Sequence, residues 1–119
     1  MYIYSFEKLE VWNLSRKLTV DIYQLTADFP DDEKFGLITQ MRRASLSICA
    51  NLSEGNSRRT IPDKIRFFNI SYSSIVELLN HTIIALDLNF LTDINYKIIR
   101  DQIEIITFKI NSLINSQNK

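Results

Sequence analysis

Residues 60–88, TIPDKIRFFNISYSSIVELLNHTIIALDL, decide the fold. Ile61, Ile65, Phe68, Tyr72, Ile75, Leu79, Thr82 and Leu86 recur at alternating gaps of 4 and 3 through seven steps, which is helical spacing with an unbroken apolar seam. The stretch predicts a helix of about 27 residues. Thr60 stands where an N-cap belongs, Pro62 falls in the first turn, and Asp63 follows three residues after the cap.

Upstream, the short polar linker Gly55–Ile61 separates this helix from a second one over about 32–54. In that helix Ile38, Met41, Ser45, Ile48 and Leu52 keep the same spacing, Asp31, Asp32 and Glu33 favour the positive end of the dipole, and Gly55 is expected as the C-terminal cap. A first helix is expected over about 7–28 from Val11, Leu14, Leu18, Ile22 and Leu25, ended by the Phe29-Pro30 pair. Downstream, Asn89–Thr92 is a connection, and Ile99, Ile103, Ile106, Ile110 and Leu113 define a fourth helix. Ile103, Ile105 and Thr107 also alternate like a strand, but no turn residue or hairpin partner lies nearby. Short links force neighbouring helices to run opposite ways, so the expected fold class is all-α, an antiparallel up-down-up-down four-helix bundle over residues 1–119 as one domain.

Composition agrees. The chain has only 2 Gly and 2 Pro in 119 residues, where average usage would give about 14, so the frequent sharp turns of a small β-sandwich or barrel are missing. A 45% hydrophobic content excludes a disordered chain. The longest uncharged runs, Ala44–Ser53 and Phe67–Val76, are half a membrane span, and the start lacks the basic and apolar regions of an export signal. With a single cysteine, Cys49, the expected location is cytoplasmic.

Catalytic constellations are nearly absent. His81 is the one histidine, which excludes a site of several imidazoles. Cys49 lies among small and apolar neighbours where a thiol is inert. There is no Gly-rich phosphate loop, HExxH or CxxC. Asp31, Asp32 and Glu33 could gather a divalent cation, but helix-start charge accounts for them. The chain reads as non-enzymatic, with no cofactor and no metal.

Two other features carry more. Phe67, Ile70, Leu78, Ile84, Ile98, Ile105 and Phe108 lie off the main seams, so the apolar stripes are wide. They either thicken the core or meet other subunits. Six of the ten residues Ala44–Ser53 are Ala, Ser or Cys, and the outer stripe Gln40, Arg43, Ser47, Ala50 and Glu54 suits a helix packed between subunits. Secondly, Arg42, Arg43, Arg58, Arg59, Lys64 and Arg66 put 6 of the 14 basic residues into positions 42–66, against Glu54 and Asp63 as acids. Arginine forks suit phosphate oxygens, and in an oligomer the patch would repeat. The alternative is a solvated loop with ion pairs between subunits. Gly55–Arg66 contains no aromatic residue, so backbone charge and not base stacking is indicated.

Gln40 to Gly55 reads Gln-x-Arg-Arg-Ala-x-x-Ser-Ile-x-x-Asn-x-x-Glu-Gly. With Phe6, Leu9, Val11-Trp12, Tyr23, Phe29-Pro30, Glu33, Phe35-Gly36-Leu37, Arg58, Phe68, Ser74 and Glu77, the chain resembles the bacterial four-helix bundle proteins encoded in 23S ribosomal RNA intervening sequences. It is also similar to the accessory protein of diversity-generating retroelements. The resemblance implies a homopentamer and an adaptor role beside a reverse transcriptase or other nucleic-acid enzyme, on structured RNA or DNA, and an assembly role for Asn51 and Glu54. A protein-interaction scaffold without nucleic-acid binding is the alternative.

Overall fold

Thr60 starts the longest helix as its sequence position predicts. Its hydroxyl oxygen accepts the backbone N–H of Asp63 at 3.3 Å, and Pro62 occupies the first turn where no donor is needed. In the computed structural model, which describes residues 1–118, this helix runs Ile61–Asp87 and is here α3. It ends without glycine. Asn89 takes the left-handed conformation at φ 63°, and the N–H groups of Asn89 and Phe90 close back onto the carbonyls of Leu86 and Ala85, both at 2.9 Å. The chain then reverses, and Thr92 caps the last helix by accepting from the Asn95 N–H at 3.0 Å.

The other helices are α1 (Glu10–Thr26), α2 (Leu37–Ser57) and α4 (Asp93–Ser116). Each packs against its predecessor and α4 closes against α1 around one shared core, which is an antiparallel four-helix bundle of 44 × 30 × 22 Å. Residues 103–107 are helical within α4, so the strand-like alternation there is overridden. None of the described helices is long and apolar enough to cross a membrane.

Three boundaries differ from the sequence expectation. α1 is shorter, because Ser5–Lys8 forms a separate 3-10 turn and the helix stops at Thr26, leaving Phe29 buried against Phe90. α2 begins at Leu37 and not at Asp32. Asp31–Glu33 makes its own 3-10 turn, from which the Glu33 carboxylate reaches forward to accept the Leu37 N–H at 3.2 Å. Glu33 therefore serves the α2 N-terminus from outside it. Gly55 is not the cap. It is buried inside the last turn of α2, with Arg58 as the cap residue, and a Cβ there would lie 2.7 Å from the Phe68 ring and 3.0 Å from the Phe67 Cβ. Glycine is required by close approach, not by backbone conformation.

The core runs through Leu18, Ile22, Met41, Ile48, Leu52, Phe68, Ile75, Leu78, Ile103, Ile106 and Ile110, all essentially without solvent contact. On α3 the buried line departs from the expected seam. Phe68, Ile75 and Thr82 hold, but Ser71, Ser74, Leu78 and Ala85 replace Tyr72, Leu79 and Leu86 as the most covered positions. The cause is α2. Its Ser47 and Gly55 let α3 approach closely: Ser71 donates to the Ile48 carbonyl at 2.9 Å, and Ser47 and Ser74 share a hydrogen bond at 2.8 Å. Every buried side-chain polar atom among the described residues has a partner.

Candidate nucleic-acid interface

The six basic residues are close in sequence but occupy two places. Arg42 and Arg43 sit near the start of α2, and Arg58 lies sixteen positions beyond Arg42, about 24 Å away at helical rise. Arg42 is engaged locally. Its guanidinium donates to the Thr26 hydroxyl at 2.9 Å and the Tyr23 carbonyl at 3.2 Å, and lies over the Tyr23 ring at 4.6 Å. It ties α2 to the end of α1, supplying the last carbonyls of that helix with a cation. Arg43 donates to Gln40 and pairs with Glu77 on α3. Glu77 also faces His81 Nε2 at 3.2 Å, so the lone histidine is held by a carboxylate one turn away.

Arg58, Arg59, Lys64 and Arg66 gather at the α2–α3 junction. The organiser is Phe67, which the sequence reading assigned only to surplus apolar surface. It is buried next to Gly55, and the guanidinium groups of Arg58 and Arg66 both lie over its ring at 4.4 Å. Stacking pre-orients the planar groups while their N–H forks stay at the surface. Their acidic neighbours hold them loosely. Arg58 is 3.8 Å from Glu54, while Arg66 donates through both Nε and Nη2 to the Asp63 carboxylate at 3.3 Å; both are exposed pairs of the kind worth little. The Lys64 ammonium is more committed, donating to the Asn56 carbonyl at 2.9 Å at the C-terminal end of α2. Arg59, exposed, lines a shallow cleft of about 230 Å³ with Ser57, Arg58, Thr60 and Asp63. Together these side chains place two oriented forks and one exposed guanidinium beside the positive end of the α3 dipole.

The stripe expected between subunits is partly used inside the chain. Ser47 bonds Ser74, Asn51 donates to the Ser47 carbonyl at 2.9 Å, Gln40 and Arg43 pair, and Glu54 faces Arg58; Ala50 is exposed. Of the seven off-seam apolar residues, Phe67 and Leu78 thicken the core. Ile70, Ile84, Ile98, Ile105 and Phe108 are exposed, Phe108 to 72%. Val20, Leu46, Val76, Ile83 and Ile94 add to this wet apolar surface. Cys49 is half-buried at the α1–α2 seam beside the Thr19 hydroxyl. Burial pushes its thiol pKa up, against the opposing pull of Thr19 and Arg16, so the nucleophilic thiolate is disfavoured. Among the described residues no three His, Cys, Asp or Glu side chains come together around one point.

The family model described as 23S rRNA-intervening sequence protein matches residues 7–112. The solved structure of a protein of unknown function from the S23 ribosomal protein family of Bacteroides thetaiotaomicron is similar to this chain, with a TM-score of 0.79 over 87% of this chain and 97% of that one. Its identity to this chain is 22%, and the likeness is one of fold. No curated protein matches.

Proposed function

The chain belongs to the 23S rRNA-intervening sequence protein family, and from that premise we propose a non-enzymatic, homopentameric adaptor that holds structured RNA or DNA through the arginines of the α2–α3 junction. The observation that carries this reading is the pair of guanidinium groups stacked on Phe67 with Arg59 beside them. Self-assembly is supported by the apolar side chains left wet along α3 and α4, which sister copies would cover. Closed symmetry then repeats the arginine cluster around an axis, and several weak phosphate contacts add as avidity. In this reading the protein works in the cytoplasm beside a nucleic-acid enzyme, as the resemblance to the accessory protein of diversity-generating retroelements implies.

A second reading, a protein-interaction scaffold without nucleic acid, is favoured by the internal engagement of Arg42 and Arg43. Salt separates the two. With three arginines per engaged subunit, log K for a duplex should fall linearly with log salt at a slope of about −3 per subunit in contact. Retention measured by filter binding between low and physiological salt checks this. A flat response, or no retention at low salt, assigns the arginines to the scaffold.

A further inference from the structure

The fold brings to the α2–α3 junction a second feature that the linker itself lacks, a run of aromatic rings. Tyr2 and Tyr4 meet edge to face at 5.1 Å, Tyr4 lies 6.2 Å from Phe6, and Phe6 meets Trp12 at 4.9 Å. The inner two rings are half-covered, whereas Tyr2 and Tyr4 are 78% and 60% exposed. The run is fixed to the basic end of the bundle. The Asn56 side chain, in the last turn of α2, donates to the Ser5 hydroxyl at 3.0 Å, and the backbone carbonyl of the same Asn56 accepts from Lys64. Positive charge also lies on the aromatic side, since the Arg16 guanidinium sits 5.0 Å from the Trp12 ring centre. The nearby acids are engaged: Glu7 accepts the Tyr4 N–H at 2.7 Å, and Glu10 pairs with Lys109 on α4.

Exposed aromatic faces that adjoin a cluster of cations are the two elements of a surface for unpaired nucleotides, with bases stacked on the rings and phosphates met by the guanidinium groups. We propose that Tyr2 and Tyr4, at the outer end of a ring run tethered through Ser5 to Asn56 and so to the Lys64 side of the junction, bind a single-stranded segment of the nucleic acid. This rests on the reading of the arginine cluster given above and extends it: the ligand is a structured nucleic acid with an unpaired stretch, the duplex part held by charge and the loose strand by stacking. A second copy of the chain, which could also cover tyrosine rings, would not need the cations of this end of the bundle.

The test uses the full chain with two probes, an unstructured single-stranded oligonucleotide of roughly 20 nucleotides and a blunt duplex of the same length. Tyr2→Ala with Tyr4→Ala should weaken single-strand binding about 10-fold or more and leave duplex binding nearly unchanged. Tyr2→Phe with Tyr4→Phe should restore it, because the π face is kept. Trp12, the one tryptophan, supplies a direct signal: its fluorescence should change with the single strand and not with the duplex. Equal loss on both probes, no loss on either, or a change of particle mass in the alanine variant overturns the proposal, the last by assigning the rings to a second copy. If the native protein retains duplex but no single strand, this inference alone fails. If it retains neither, the arginine reading fails with it.

Discussion

Phe68→Ala should lower the free energy of unfolding by about 3–5 kcal/mol, a loss on the order of 10–20 °C in Tm for a domain of this length. Phe68 is the largest of the fully buried side chains, 1% exposed, and packs where α2 and α3 approach closely. Its ring fills the space that Gly55 leaves open, lying where a Cβ of residue 55 would be 2.7 Å away. Removing the ring loses its transfer free energy and opens a cavity that the fully buried, close-packed core around it fills only in part. Denaturant melting of the purified variant checks this. The partner test is Gly55→Ala, made once in the native chain and once together with Phe68→Ala. Alone, the glycine change gains helix propensity of up to about 1 kcal/mol but collides with the ring, so it should destabilise; combined with Phe68→Ala the tightest contact is gone and only the 3.0 Å approach to the Phe67 Cβ is left, so it should cost less than it does in the native chain. A Phe68→Ala protein that melts like the native one would mean that the α2–α3 contact is not packed as described.

The second large effect concerns binding. Arg58→Glu combined with Arg59→Glu should weaken retention of duplex on the order of 100-fold at low salt and make the salt slope shallower by about 2 for each subunit in contact. Two phosphate partners are removed and two repelling charges are placed beside the same backbone. Stability should change little, because both side chains are at the surface and the Glu54 pair is long. Arg58→Lys with Arg59→Lys should lose less, keeping charge while giving up the fork and the stack on Phe67. Unchanged retention in the glutamate variant would remove the junction from the binding surface.

Much of the fold was legible because helical periodicity reports which face is covered. The α3 span, its Thr60 cap and its Pro62 turn follow directly from residue order. What was not legible depends on who the neighbour is. Gly55 reads as a helix end from sequence, since nothing local shows that the Phe68 ring presses on it. The buried face of α3 departs from the expected seam because α2 presents Ser47 and Gly55 to it, so that Ser71 and Ser74 come into close contact. Of Asp31–Glu33, expected at the start of α2, all three lie in a separate turn before it and Glu33 reaches the helix N-terminus from there.

The candidate site shows the same division. Six basic residues in a short run look like one patch, but a helix separates by its length what sequence lists together, and only four reach the junction. Phe67 carried an apolar signal and no hint that two arginines would stack on it. The aromatic residues at the start of the chain were separated from Asn56 by nearly half the sequence, and only the folded bundle joins them through Ser5.

Sister copies covering the apolar flanks of α3 and α4 are what would gather the arginine junctions into one repeated surface, so everything proposed for binding turns on the mass of the native particle. Light scattering at micromolar concentration reads it. The expected mass is five times the 14.0 kDa of a single chain. A particle of 14.0 kDa, with Ile70, Ile84, Ile98, Ile105 and Phe108 left in water, would contradict the assembly and the shared surface together.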